Sequence, residues 1–212
     1  MRWFKIPFWI PWLMPSRIWR GPKFNPQGQP CVYLTFDDGP IPEVTPWVLD
    51  QLDVYGAKAT FFCIGENALR YPEIMQETLR RGHQIGNHTQ SHCKGPETST
   101  QMYLSQVRQF EQSTGLDPSL FRPPYGRLTS DQVSNLTRLG YRIIMWDILS
   151  YDWQNNCSEE LILLKLKRHL RPGSIVVFHD SLKAEKNIRQ VLPKILEHIK
   201  SKGMVMTVLS QD

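Results

Sequence analysis

No C-x-x-C pair occurs among the four cysteines, Cys31, Cys63, Cys93 and Cys157. Their wide spacing excludes a cysteine metal knuckle and implies no disulfide framework, so they read as buried or free thiols. No block of basic residues is present either. The chain carries 25 basic and 20 acidic residues, a net charge of +5. Five of the basic residues (Arg2, Lys5, Arg17, Arg20 and Lys23) fall in the first 23, and the others are scattered. This pattern lacks the stripe that tracks a nucleic-acid backbone, and no nucleic-acid partner is expected. The charge suits approach to an anionic polymer or a membrane surface. The apolar run Ile6 to Met14 is nine residues long and contains Pro7 and Pro11, whereas a spanning helix needs about 20 apolar residues. No A-x-A-like cleavage site follows it, so it does not read as a signal peptide. After residue 30, internal repeats and low-complexity tracts are missing as well.

What is present is a globular composition. Apolar residues make up 41% of the 212, aromatics 11% and charges 21%, which excludes a disordered or fibrous chain. A domain of this size buries roughly 70% of the surface its unfolded chain exposes and needs no covalent staples. Residues 1–30 stand apart, with four of the seven tryptophans and six of the sixteen prolines. They are expected to form a Trp/Pro-rich arm, and 31–212 a single domain. The arm either packs across the domain or sits at a membrane interface, where Trp is favoured.

From residue 31 onward, short apolar runs alternate with amphipathic stretches. Strands are expected at 31–36, 57–64, 83–87, 120–122, 142–148, 174–178 and 204–209. Helices are expected at 44–55, 72–81, 99–114, 130–139, 158–170 and 186–201. Such alternation implies an α/β fold: a distorted, TIM-like (β/α) barrel of about seven parallel strands. Its site would lie at the C-terminal strand ends.

Unusual polar residues follow those strands. Thr35-Phe36-Asp37-Asp38-Gly39-Pro40 runs a strand into two adjacent carboxylates, which need cations or a metal to offset their repulsion. Alone, it could equally be an exposed Asp-Asp-Gly turn. His88-Thr89-Gln90-Ser91-His92 puts two imidazoles at i, i+4, a spacing that grips one metal if the segment is a helical turn. It lacks the Glu of H-E-x-x-H, which disfavours a zinc peptidase. Arg122-Pro123-Pro124-Tyr125-Gly126 would fix an arginine and a backbone amide beside a stiff turn. Trp146-Asp147, Asp152-Trp153 and Val176-Val177-Phe178-His179-Asp180 complete the set, with a histidine ending an apolar strand. One parallel sheet delivers all of these ends to one face.

In these residues the chain resembles the polysaccharide deacetylase family of metal-dependent carbohydrate esterases, over roughly 31–210. The family's T-F-D-D-G-P stands intact at 35–40, H-[ST]-x-x-H at 88–92 and R-x-P-Y at 122–125. The fourth motif is represented by Asp152-Trp153 and the fifth by Val177-Phe178-His179, with Val in place of the usual Leu.

The resemblance implies a divalent metal, zinc by preference, on Asp38, His88 and His92. It implies Asp37 as the general base toward a metal-bound water, with Arg122 holding it charged. The Tyr125 amide would stabilise the oxyanion, and His179, tuned by Asp152, would be the general acid. Asp147 competes for that tuning role, and Asp152 is preferred because Trp153 follows it. Trp153 and Val177 would line the acetyl pocket. The implied activity is removal of N-acetyl groups from N-acetylglucosamine-containing glycans such as peptidoglycan or chitooligosaccharide. An O-acetyl esterase of the acetylxylan type and a non-catalytic glycan-binding module are the alternatives. A glycan is the expected partner, peripheral membrane contact through the arm is the second reading of residues 1–30, and a monomer is the default. The substrate class favours the cell envelope, while the missing export signal leaves the cytoplasm open.

Overall fold

The structure is a computed structural model that describes residues 3–209. Its longest strand explains the architecture. Every residue of Cys31–Asp37 is buried, because both faces of the strand are covered. Val32, Leu34 and Phe36 point outward into the main apolar cluster beneath the helices. Cys31 and Tyr33 point into a second cluster with Phe62, Leu120, Ile144 and Ile175, the barrel interior. A strand buried on both faces is the signature of a parallel sheet wrapped by helices.

In chain order the strands are β1 (Arg17–Ile18), β2 (Cys31–Asp37), β3 (Ala59–Cys63), β4 (Gln84–Asn87), β5 (Leu120–Phe121), β6 (Arg142–Ile144), β7 (Ile148–Leu149), β8 (Ile175–His179) and β9 (Val205–Met206). The α-helices are α1 (Trp9–Leu13), α2 (Thr45–Val54), α3 (Gly65–Arg70), α4 (Pro72–Arg80), α5 (Thr100–Thr114), α6 (Ser130–Arg138), α7 (Glu159–His169) and α8 (Glu185–Ser201). The sheet order is β1-β6-β5-β4-β3-β2-β8-β7, with β9 on the start of β2, and the strand pairings are parallel. The curled sheet is a distorted (β/α) barrel, as the alternating pattern predicts.

The structure adds α1 and β1 within the arm, and from residue 31 onward two elements differ from the sequence reading. The strand expected over 142–148 is two strands, β6 and β7. Met145 N donates to Ile18 O of β1 at 2.7 Å, whereas Asp147 N donates to Ile175 O of β8 at 3.0 Å. The segment therefore passes from one neighbour to another and cannot stay one regular ladder. Helix α3, which no pattern announced, follows β3 directly. It is six residues long, has no side-chain N-cap and begins at Gly65. A helix this short carries almost no periodic signal, and packing must stabilise it.

The N-terminal arm fills the seam beside β6 and β7. β1 pairs with β6, Leu149 N donates to Phe4 O at 2.9 Å, and Ile6 N donates to Asp147 O at 3.0 Å. Phe4 and Trp19 are buried there. Asp147 lies beneath the arm. Its carboxylate is 3.4 Å from Lys5, 3.8 Å from Arg20 and 3.7 Å from Arg171, and accepts a hydrogen bond from Ser174 Oγ at 2.8 Å. Arg2 lies outside the described residues.

Candidate active site

β2 and β8 end side by side, with Asp37 in register with His179. That pairing brings the first and fifth motifs together. After Asp37 the backbone turns sharply. Asp38 has φ +80°, and the Gly39 N–H donates to Asp180 Oδ1 at 3.1 Å. A Cβ on Gly39 would stand 2.0 Å from Asp180 Oδ2, so only glycine fits. Thr45 Oγ1 donates to the same carboxylate at 2.6 Å, and Asn67 Nδ2 of α3 donates to Asp38 O at 2.8 Å.

The segment His88–His92 is a loop and not the helical turn expected from its spacing. Thr89 and His92 have φ of +66° and +56°. Asn87 Oδ1 accepts from Thr89 N at 2.8 Å, which diverts the chain as β4 ends. Gly65 N and Glu66 N of α3 then donate to Thr89 O and Gln90 O. The loop still delivers both imidazoles to Asp38. Among the described residues, the non-glycine residues with positive φ are Asp38, Thr89, His92, Tyr125 and Tyr151. All five lie in or beside the motifs, where surrounding contacts hold the strain.

Asp38 Oδ1 is 3.3 Å from His92 Nε2 and 3.7 Å from His88 Nε2, and the three ligand atoms lie within 4.8 Å of one another. His88 Nδ1 is 2.7 Å from Arg122 O. A proton donated to that carbonyl leaves Nε2 as a lone pair facing Asp38. Burial, and then the charge of His92, push the His88 pKa down to about 3, and burial lowers His92 as well. Both rings are therefore neutral near pH 7, and Asp38 Oδ1 is buried with no hydrogen-bond partner. Three electron-pair donors converge with no proton between them, an arrangement that fits a divalent cation.

Behind Asp37 lies Arg122, fully buried. Its Nη1 donates to Asp37 Oδ1 and to Thr35 Oγ1, both at 2.7 Å, and Nη2 donates to Met145 O at 3.1 Å. Its guanidinium stacks 4.1 Å from the centre of the Phe62 ring. Behind His179 lies Asp152, also fully buried. Asp152 Oδ1 is 2.9 Å from His179 Nδ1, and Oδ2 accepts the His179 backbone N–H at 2.8 Å. Ser150 Oγ and Asn187 Nδ2 secure Asp152 in turn. Burial alone pulls the His179 imidazole down, but the Asp152 charge and hydrogen bond, with Asp38 and Asp37, outweigh it and raise the pKa to about 9.

Asp37, Asp38, His88, His92, Tyr125, Trp153, Val177 and His179 all line one cleft of about 730 Å³. The Trp153 ring meets His179 edge-on at 4.5 Å, and Tyr125 lies 4.6 Å from His92. Asp147 is occupied with the arm and its cations. Sequence reasoning missed Asn67, Asp180 and Asn187. Asp180 could have been flagged by its place next to His179. The two asparagines sit on α3 and α8 with no local signal, since only the fold brings them to the site.

The polysaccharide deacetylase family profile matches residues 24–144. A peptidoglycan-N-acetylglucosamine deacetylase of Bacillus cereus is 34% identical over 184 residues, covering 84% of this chain and 66% of that protein. A chitooligosaccharide deacetylase of Azorhizobium caulinodans is 38% identical over 160 residues, covering 73% of this chain and 75% of the relative. The solved structure of the Bc1960 peptidoglycan N-acetylglucosamine deacetylase, in complex with a substituted N-hydroxybenzamide, superposes with a TM-score of 0.85 at 32% identity and covers 94% of each chain. The strand-end carboxylates, the Asp-His-His cluster and these likenesses agree, and the chain belongs to the polysaccharide deacetylase family.

Proposed function

We propose that the protein is a zinc-dependent hydrolase that removes N-acetyl groups from N-acetylglucosamine units of peptidoglycan or chitooligosaccharide. The observation that carries this reading is the unpartnered Asp38 oxygen facing two neutral imidazoles, beside an Asp37 held by Arg122. Asp38, His88 and His92 would hold the ion. One carboxylate and two imidazoles suit zinc and leave positions open. When bound, the ion supplies Lewis acidity to water and to the acetyl carbonyl.

The remaining steps belong to residues of this chain. Asp37 accepts a proton from the attacking water, and its contact with Arg122 keeps it anionic and aimed. The water oxygen bonds to the acetyl carbon, and the Tyr125 backbone N–H stabilises the oxygen that gains charge. His179, protonated at neutral pH, gives its proton to the amine as the C–N bond breaks. Acetate and a free amine leave. Trp153 and Val177 pack against the acetyl methyl, and Val177 is a methylene shorter than the family's usual Leu.

The test is acetate release from N-acetylated chitooligosaccharide by zinc-loaded, chelated and Asp37→Asn protein. The variant is expected to bind zinc yet lose about 10²–10⁴-fold in kcat, the usual contribution of a positioned base. Undiminished turnover by Asp37→Asn would remove Asp37 as the base. Release from acetate esters alone would move the activity to O-deacetylation.

A further inference from the structure

We propose that the N-terminal arm is a membrane foot: residues 8–14 present an apolar face that seats the protein on an anionic lipid surface. Helix α1 is apolar on both sides. Ile10 packs inward against the cluster built by Trp19, Tyr103, Phe121 and Tyr141. On the other side Phe8 is 91% exposed, Trp12 81% and Leu13 61%. A helix facing water normally turns polar residues outward, and one that is apolar all round has an apolar environment on each side. Among the described residues, seven of the fifteen exposed large apolar side chains fall between Trp3 and Phe24, which sets this patch apart from scattered surface residues.

Charge selects the occupant. Residues 1–36 contain five basic residues and no acidic one, while the rest of the chain holds 20 of each, so the whole net charge of +5 resides in the arm. Lys5, Arg20 and Arg171 gather round the single carboxylate of Asp147 and leave an excess of positive charge there. Burial, and then the charges of Lys5, Arg168 and Lys165, hold the His169 pKa down, with Asp147 opposing them. Trp and Phe with flanking cations suit a lipid headgroup layer. A second copy would bring the same positive arm against itself, and a neutral glycan would gain nothing from the charge. No helix of the described residues is long and apolar enough to cross a membrane, so the contact is interfacial.

The foot is rigidly mounted and connected to the cleft. Phe4 and Ile6 are hydrogen-bonded to the β7 segment. Trp9 meets Trp3 edge-on at 6.2 Å, and Trp3 N donates to Tyr151 Oη at 3.1 Å. The Tyr151 ring lies 5.2 Å from Trp153 in the cleft wall. A lipid surface under the arm would hold the cleft close to the membrane.

The test is co-sedimentation of the full chain with vesicles of phosphatidylcholine alone and of phosphatidylcholine with phosphatidylglycerol, alongside the Phe8→Ser/Trp12→Ser/Leu13→Ser variant. The parent is expected to bind the anionic vesicles and to come off as salt rises. The variant is expected to partition at least about tenfold more weakly, since three apolar side chains no longer enter the interface. Its thermal midpoint and its acetate release from soluble oligosaccharide should be unchanged, because none of the three lines the cleft. The lipid readout does not depend on turnover, so it stands or falls apart from the deacetylase assignment. Parent protein that stays in the supernatant with anionic vesicles would overturn the proposal, as would equal binding by the variant. A dimer, or retention on insoluble chitin, that is lost in the variant without any vesicle binding would assign the patch to a second copy or to glycan instead.

Discussion

Asp37 and Asp152 are the same side chain given opposite tasks by their partners. Asp37 is paired with a buried arginine and Asp152 with a partly buried histidine. The His179 pKa of about 9 is thus the balance of burial against carboxylate charge. A raised imidazole pKa contributes stability that is complete below its ordinary value of 6.5 and is lost as pH rises through about 9. In Asp152→Asn the largest opposing charge is gone and burial weighs more, although Asp38 and Asp37 remain. The His179 titration, followed by NMR, is then expected to fall well below 9, with the alkaline limb of the kcat profile moving acid-ward by about one unit or more. A midpoint that stays near 9 would show that Asp152 does not hold the proton.

At the scale of elements, Arg122 ties the barrel together. It leaves the end of β5 and reaches Thr35 and Asp37 on β2 and the carbonyls of Ile144 and Met145 at the end of β6. Arg122→Met would keep the bulk but leave Asp37 buried and uncompensated. The expected loss is about 3–5 kcal/mol in urea unfolding at neutral pH, the range for removing one member of a buried ion pair. Unchanged stability would mean that water or a relaxed Asp37 replaces the arginine. The same scale shows where the sequence misled. The His88/His92 spacing suggests a helical turn, but the Asn87 side chain captures the Thr89 N–H and a loop forms. Spacing alone cannot separate these, because both bring two imidazoles to one point. The run 142–148 is apolar enough for one strand, yet its amides bond to β1 and then to β8. Such a change of partner is a tertiary event that no period in the run records.

At the scale of the molecule, Asp147 fastens the arm to the barrel. Removing its carboxylate in Asp147→Ala takes the counter-charge from Lys5 and Arg20, which keeps only its hydrogen bond to Pro172 O, and leaves Ser174 Oγ without its acceptor. A loss of about 1–3 kcal/mol is expected, together with faster tryptic cleavage at Lys5 and Arg17. Parent-like stability and proteolysis would show that the arm is held by its apolar contacts alone.

From residue 31 onward most strands and helices, the parallel barrel and the motif residues were readable in one dimension. Burial writes apolar periodicity into each element, and strand ends carry their polar residues in local sequence. The rest was decided only on folding. Asp152 and Asp147 are similar acids five positions apart, and nothing local says that one would meet His179 and the other the cations of the arm. Asn67, Asp180 and Asn187 acquire their roles from neighbours distant in the chain. The arm's two faces were likewise indistinguishable as a string of tryptophans, prolines and aliphatics. Packing sent Ile10 inward and Trp12 outward, because the barrel seam has room for one face of α1 and not the other.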